Sequence, residues 1–194
     1  LRDEVFYPPN LITLGRVFII MPFILWLTLI PTKTAAAGAA LLFIAAGVTD
    51  FLDGYLARRY QQTSVLGQFI DPLADKLIVS AVLIELSSMG RVPWWVVVLV
   101  VARELAVTSL RGIASVEGLV ISASRGGKVK FGLQLCGVTG LLLHHSYMIP
   151  LGPWRISFDY HLVGLWFLYV SLVMSLISFI NYGRKFTAAL DGIK

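Results

Sequence analysis

Residues 48–76 read VTDFLDGYLARRYQQTSVLGQFIDPLADK, and they set four aspartates, Asp50, Asp53, Asp71 and Asp75, at fixed spacing in a chain otherwise apolar enough for a bilayer. A carboxylate near lipid costs several kcal/mol when nothing compensates it. On helices, Asp50 and Asp53 stand at i and i+3, and Asp71 and Asp75 at i and i+4, so each pair shares one side of its helix. Two antiparallel helices would then present an all-oxygen, four-carboxylate cluster, a ligand set suited to Mg²⁺, Mn²⁺ or Ca²⁺. Crowded carboxylates also raise one another's pKa, which argues again for a bound cation at neutral pH.

The rest of the composition agrees with a membrane setting. The 194 residues are 57% hydrophobic and 14% charged, with a mean hydropathy of +0.80, whereas a soluble domain carries about 25% charged residues. A spanning helix needs roughly 20 residues, and six stretches qualify: 11–31, 36–59, 70–90, 92–114, 129–149 and 161–182. The expectation is an all-α, polytopic membrane protein with six transmembrane helices in one bundle, a single domain over 1–194 and a short interfacial segment at about 1–9. The breaks carry turn signals at Pro31 to Thr34, Gly90 to Pro93, Gly126 and Gly127, and Pro150 to Pro153. No cleaved leader is expected, because the first apolar run follows Arg2, Asp3 and Glu4 without a small-residue cleavage site. The single cysteine, Cys136, excludes an intramolecular disulfide.

Positive residues are retained on the cytoplasmic side. Of sixteen Lys and Arg residues, only Lys33, Arg91 and Arg155 fall opposite the termini. Both termini and the aspartates are therefore expected at the cytoplasm, with the five tryptophans, Trp26, Trp94, Trp95, Trp154 and Trp166, toward the outer half. The net charge of +5 describes a basic membrane face and not a nucleic-acid surface, since no aromatic-basic module accompanies it. His144, His145 and His161 fall at the outer surface and are read as interfacial.

Gly54 follows Asp53, and Gly67 precedes Asp71 by four residues. Both clear space for a bulky ligand to approach backbone, although small residues also serve tight helix packing in membranes. Ala57 leaves similar room, and Arg58 offers a forked donor suited to a diphosphate.

The pattern DxxDGxxAR, eight residues, then GxxxDxxxD is met in full by Asp50, Asp53, Gly54, Ala57, Arg58, Gly67, Asp71 and Asp75, and it resembles the signature of the CDP-alcohol phosphotransferase family. The resemblance implies a transfer at the membrane surface in which an alcohol hydroxyl attacks the diphosphate of a CDP-linked lipid and CMP departs. It implies that Asp50, Asp53, Asp71 and Asp75 hold Mg²⁺ or Mn²⁺, two ions in all, with Asp75 also the general base. It further implies that Asp53, Gly54, Ala57, Arg58 and Gly67 line the CDP-lipid site, and that the protein is a homodimer.

The acceptor is read from the remaining cations. Glu104, Thr108 and Arg111 stand at i, i+4 and i+7 on one stripe, with Arg103 alongside and Lys128 and Lys130 opening the fifth span. Arg16 adds a charge just inside the first span, beyond Asn10, read as a helix cap or a substrate contact, and Thr13, read as a substrate contact. This is more positive charge than the aspartates need once metal is bound, so a phosphorylated acceptor fits Arg16, Arg103, Thr108, Arg111, Lys128 and Lys130. The segments PNLITLGR, ARELAVTSLR and GKVK are similar to those of bacterial phosphatidylglycerophosphate synthases. That likeness implies glycerol 3-phosphate as acceptor, CDP-diacylglycerol as donor and the bacterial inner membrane as location. Phe131 stands where those synthases carry threonine after the second lysine, which bears on local packing. Inositol phosphate and phosphatidylglycerol are the alternative acceptors. A divalent-cation carrier is the rival from another class, weakened because the four aspartates cluster at one membrane face and none continues the path across the outer halves of the spans.

Overall fold

The computed structural model describes residues 13–60, 65–116, 125–151 and 154–191. Among them are six helices: α1 (Thr13–Thr28), α2 (Lys33–Tyr60), α3 (Val65–Ser88), α4 (Trp94–Val116), α5 (Arg125–Leu143) and α6 (Tyr160–Asp191). Between α5 and α6 lie two short strands, β1 (Ser146–Leu151) and β2 (Trp154–Asp159). The first turns of α1 widen into a π-helix over Arg16–Ile20 before the α-helical Met21–Thr28.

The helix ends follow from local chemistry. Thr32 Oγ1 accepts the Ala35 N–H at 3.2 Å and caps α2. At the end of α3, Gly90 adopts φ +72°, the Arg91 N–H donates to the Leu86 carbonyl at 2.9 Å, and the Gly90 N–H donates to Ser87 at 3.0 Å. This paired closure requires a left-handed residue, which glycine supplies without cost to a Cβ. Pro93 then precedes α4. The Asp159 carboxylate accepts the N–H groups of His161 and Leu162 and caps α6.

The hairpin corrects the expected fifth span. Residues 144–149 do not continue the helix: His144 turns into the left-handed region at φ +50°, and Ser146 to Leu151 pair antiparallel with Trp154 to Asp159. Pro150, which has no N–H to donate into a helix, sits on this two-stranded ribbon opposite Arg155. The described residues are therefore helical with one hairpin, and α6 starts directly after it.

The core is built from Ile24 of α1, Phe43 of α2, Val82 and Leu83 of α3, Val96 of α4, Val138 and Leu141 of α5, and Leu168 of α6. Outside that core, large apolar side chains face outward, among them Phe18 and Trp94 at 72% exposure and Trp166 at 65%. The longest apolar segment, Tyr160–Ala188, is long and apolar enough to cross a membrane; among the described residues, Thr13–Thr28, Lys33–Thr49 and Val129–Leu143 are shorter apolar helices.

Helices α5 and α6 make the closest contact. A Cβ on Gly164 would lie 2.7 Å from the Leu141 nitrogen, and one on Gly140 would lie 2.9 Å from the Gly164 Cα. Gly140 meets Gly164 while Gly137 meets Leu168, so the two helices run antiparallel. Helix α4 runs parallel to α6, because Trp95 stacks on Tyr169 and Arg103 reaches Ser175. The hairpin and histidines thus lie at one end of the bundle, and the charged residues of α4 and α5 lie toward the other.

Candidate active site

The backbone carries the aspartate motif on two successive helices. Asp50, Asp53, Gly54, Ala57 and Arg58 occupy the second half of α2, and Gly67, Asp71 and Asp75 occupy the first half of α3. Within α2, Asp50 and Asp53 are one turn apart, and within α3, Asp71 and Asp75 are one turn apart, as the spacing predicts. By residue type, the four aspartates of the motif would offer hard-oxygen donors, which suit Mg²⁺ or Mn²⁺ better than softer metals.

The basic residues beyond the motif form a connected group. Arg103 Nη1 meets Glu104 Oε1 at 3.0 Å, and the Lys130 ammonium bonds the same oxygen. Arg103 Nε donates to the Ser175 carbonyl at 3.2 Å, and Ser171 Oγ donates to the Lys130 carbonyl at 3.2 Å. The Glu104 carboxylate therefore ties α4 to α5, and Arg103 and Lys130 carry the connection on to α6. Both cations are largely enclosed, with side chains 9% and 8% exposed. Such a pair is costly to bury unless each charge is hydrogen-bonded, and here the two cations share one acceptor while Arg103 has a second in α6. Four residues along α4, Thr108 Oγ1 donates to the Glu104 carbonyl at 2.7 Å and receives the Lys76 ammonium from α3.

The other nominated residues are spread around this group. Arg111 is exposed, with its guanidinium 5.9 Å from the Tyr182 ring centroid, a cation–π contact to α6. Arg16 is buried in the π-helical turn of α1 and lines a small pocket with Phe43, Gly47, Ile78, Phe131 and Leu135. That pocket joins Arg16 to the neighbourhood of Lys130 through Phe131, the next residue. Thr13 is buried at the start of α1. Lys128 lies in the first turn of α5 by its backbone. Asn10 lies outside the described residues.

The profile of CDP-alcohol phosphatidyltransferase matches residues 6–178, a span that takes in both halves of the aspartate motif and the basic group. The chain belongs to that family. Among the similar proteins is the CDP-diacylglycerol–glycerol-3-phosphate 3-phosphatidyltransferase of Bacillus subtilis (strain 168), 36% identical over 195 residues, covering 94% of this chain and 96% of the relative. The proteins of the same name from Shigella flexneri serotype 5b (strain 8401) and Wigglesworthia glossinidia brevipalpis are 33% and 32% identical, each covering 90% of this chain and 91% of the relative. Members of the CDP-alcohol phosphatidyltransferase family generally use divalent metals, in keeping with the four aspartates that the sequence sets on α2 and α3.

Sequence reading passed over several residues of the site. Lys76 directly follows Asp75, but the pattern ends at the aspartate, and nothing local announces that the lysine reaches α4. Ser171 and Ser175 are buried in the apolar α6; two serines four residues apart in an otherwise lipid-grade helix were the available signal. Outside the site, at the hairpin end, Asp159 has a readable role as a helix cap, being an aspartate just before an apolar run.

Proposed function

We propose that the chain transfers the phosphatidyl group of CDP-diacylglycerol to sn-glycerol 3-phosphate, giving phosphatidylglycerophosphate and CMP. The observation that carries this reading is the similarity, over nearly the full length of both chains, to transferases named for that donor and acceptor. It agrees with the motif on α2 and α3 and with the cations of α3, α4 and α5.

In the proposed reaction, Asp75 takes the proton from the attacking hydroxyl of glycerol 3-phosphate as that oxygen forms a bond to the phosphatidyl phosphorus. The bond from that phosphorus to the CMP oxygen breaks, and CMP leaves with the electron pair. Asp50, Asp53, Asp71 and Asp75 would hold two Mg²⁺ or Mn²⁺ ions, whose chemistry when bound is to neutralise the diphosphate and the charge developing on the leaving oxygen. Gly54, Ala57 and Gly67 leave room for the cytidine diphosphate beside the two helices, and Arg58 supplies a forked donor to it. Arg111 and Lys128 meet the acceptor phosphate, with Arg16, Arg103, Thr108 and Lys130 completing the basic surroundings and Asn10 and Thr13 at the edge. The reading includes six spans in the inner membrane, both termini and the site on the cytoplasmic side, and a homodimer.

The test is an acceptor panel with purified protein in lipid micelles, following CMP release from CDP-diacylglycerol with Mg²⁺ or Mn²⁺. Glycerol 3-phosphate is the expected acceptor. Preference for inositol phosphate, phosphatidylglycerol or free glycerol overturns the acceptor, and activity that survives exhaustive chelation overturns the metal.

A further inference from the structure

We propose that His144 and His161 form a proton-operated latch at the base of the hairpin: their imidazoles hold its two ends together while no more than one of them is charged, and a second proton releases them. This pair lies at the end of the bundle opposite the Glu104 group, and the latch stands or falls independently of the acceptor reading.

The ribbon brings the two residues together. Ser146 pairs with Asp159 at the base of the hairpin, and His144 and His161 stand two positions beyond them, one on each side. Their Nδ1 atoms lie 3.1 Å apart, and the rings meet edge-on at 90° with centroids 4.8 Å apart. An imidazole nitrogen donates when it carries hydrogen and accepts when bare, so at this distance one Nδ1 donates and the other accepts. A first proton can go to the Nε2 of the donating ring, which leaves the bond in place and makes it charge-assisted. A second must go to the accepting Nδ1, and it sets two donors and two like charges face to face. Among the described residues no third His, Cys, Asp or Glu joins the two nitrogens in a metal-holding group, so the chemistry of the pair is that of a shared hydrogen.

Backbone geometry makes this contact a latch. His144 holds φ +50°, a left-handed conformation uncommon for a residue with a Cβ, while its N–H still donates to the Gly140 carbonyl at 3.0 Å in the last turn of α5. Such a conformation persists where the surroundings impose it, and the imidazole bond to the first turn of α6 ties the corner from the side chain. The Asp159 carboxylate accepts the His161 N–H at 3.0 Å, so His161 is fixed to α6 and His144 is the partner that moves. Burial, then Arg91 from the turn between α3 and α4, then His161 and His145 oppose a proton on His144, and Asp159 favours one; Tyr160, between Asp159 and His161, packs its ring against Phe158 at 5.0 Å. The His144 imidazole is thereby held below its ordinary value. Histidines separated by opening take their protons near the ordinary value of about 6.5, so neutral pH favours the closed pair and acid favours the open hairpin.

The experiment uses the full chain in lipid micelles and follows amide hydrogen exchange over residues 144–159 at pH 7.5 and pH 5, with intrinsic exchange rates divided out, in wild type, His161→Phe and His145→Asn. One proton taken up on opening changes the opening equilibrium about tenfold per pH unit below about 6.5, so the wild-type hairpin loses protection about ten- to thirtyfold at pH 5. Helix amides around Gly140 and Gly164 keep theirs, which shows that the bundle itself has not opened. In His161→Phe, which keeps a ring but no nitrogen, the hairpin is less protected than wild type at pH 7.5 and changes by less than about twofold between the two pH values. His145→Asn, outside the bond, keeps the pH response. In parallel, the histidine ring resonances of the wild type are titrated: the pair takes its two protons in separate steps, the lower one below about pH 6.5. Equal wild-type protection at both pH values overturns the latch, as does a pH response in His161→Phe equal to that of wild type. So does a wild type whose two rings titrate together near the ordinary value, a result that needs no variant to assemble.

Discussion

Glu104 answers two cations with a single carboxylate oxygen near the junction of three helices. In the proposed reaction the cations around Glu104 serve the anionic acceptor and the aspartates of α2 and α3 serve the metal, so the two halves of that chemistry fall to different residues. Asp75 is where they meet, and Asp75→Asn keeps the size of the side chain while removing its ability to accept a proton. The expected outcome is a fall in kcat of about 10²- to 10⁴-fold with CDP-diacylglycerol binding retained, measured by a turnover assay beside an equilibrium titration on one preparation. Loss of binding together with turnover reassigns Asp75 to metal holding alone. At the opposite end, His144 Nδ1 lies 3.1 Å from His161 Nδ1. Burial, then Arg91, His161 and His145, hold the His144 pKa below the usual imidazole value, and Asp159 opposes them only in part. A base whose folded pKa is lowered binds fewer protons folded than unfolded, so its neutral form contributes stability that is fully present above about pH 6.5 and is lost as pH falls through the lowered pKa. The thermal midpoint in micelles should therefore drop between pH 7.5 and pH 5, and it should drop less in His144→Asn, where asparagine tolerates the left-handed backbone but does not titrate.

Helix α5 against α6 is the element pair with the least tolerance for change. The space refused to a Cβ at Gly164 is filled by the Leu141 nitrogen at 2.7 Å and the Gly137 carbonyl oxygen at 2.8 Å, which are backbone atoms and cannot rotate away. Gly164→Ala should destabilise by about 1–3 kcal/mol, the range for overpacking, whereas Gly132→Ala, where a Cβ would meet nothing within 4 Å, should be neutral or favourable through helix propensity. Thermal unfolding of both variants in one micelle condition decides, and equal midpoints would show that the helices separate without strain. The two glycines look alike in the sequence, because a close approach depends on what stands opposite, and that is a long-range fact. The helix boundaries were more legible: Gly90, Pro93 and Thr32 are local signals, and α3 and α4 end or begin within a few residues of the expected limits. The apolar run Tyr147, Met148 and Ile149 extends the expected fifth span into 144–149, where the chain forms a strand instead, because hydropathy alone does not separate a strand from a helix end. In the site, the motif spacing carried the four aspartates onto α2 and α3, while the Lys76 to Thr108 bond joins residues 32 apart and has no periodic trace.

At the scale of the whole molecule, charge and contact place the two ends on different sides. The hairpin and its histidines cap one end, where Lys33, Arg91 and Arg155 fall among the described basic residues. The Glu104 group, Arg111 over Tyr182, and Arg184 and Lys185 near the close of α6 mark the other. Positive residues stay on the cytoplasmic side because crossing the bilayer is unfavourable for them, so the hairpin should face outward and the last turns of α6 inward. The single cysteine makes this measurable, since Cys136→Ala removes the only thiol. On that background, one thiol is placed at Ser146, exposed at the start of the hairpin, and another, in a separate protein, at Thr187, exposed near the end of α6. A membrane-impermeant maleimide added to intact bacterial spheroplasts should label Ser146→Cys and spare Thr187→Cys until the membrane is opened. The reverse pattern inverts the orientation and moves the aspartate helices to the outer face. Labelling of both thiols in sealed cells would mean that α6, despite its 29-residue apolar stretch from Tyr160 to Ala188, does not cross the bilayer between them.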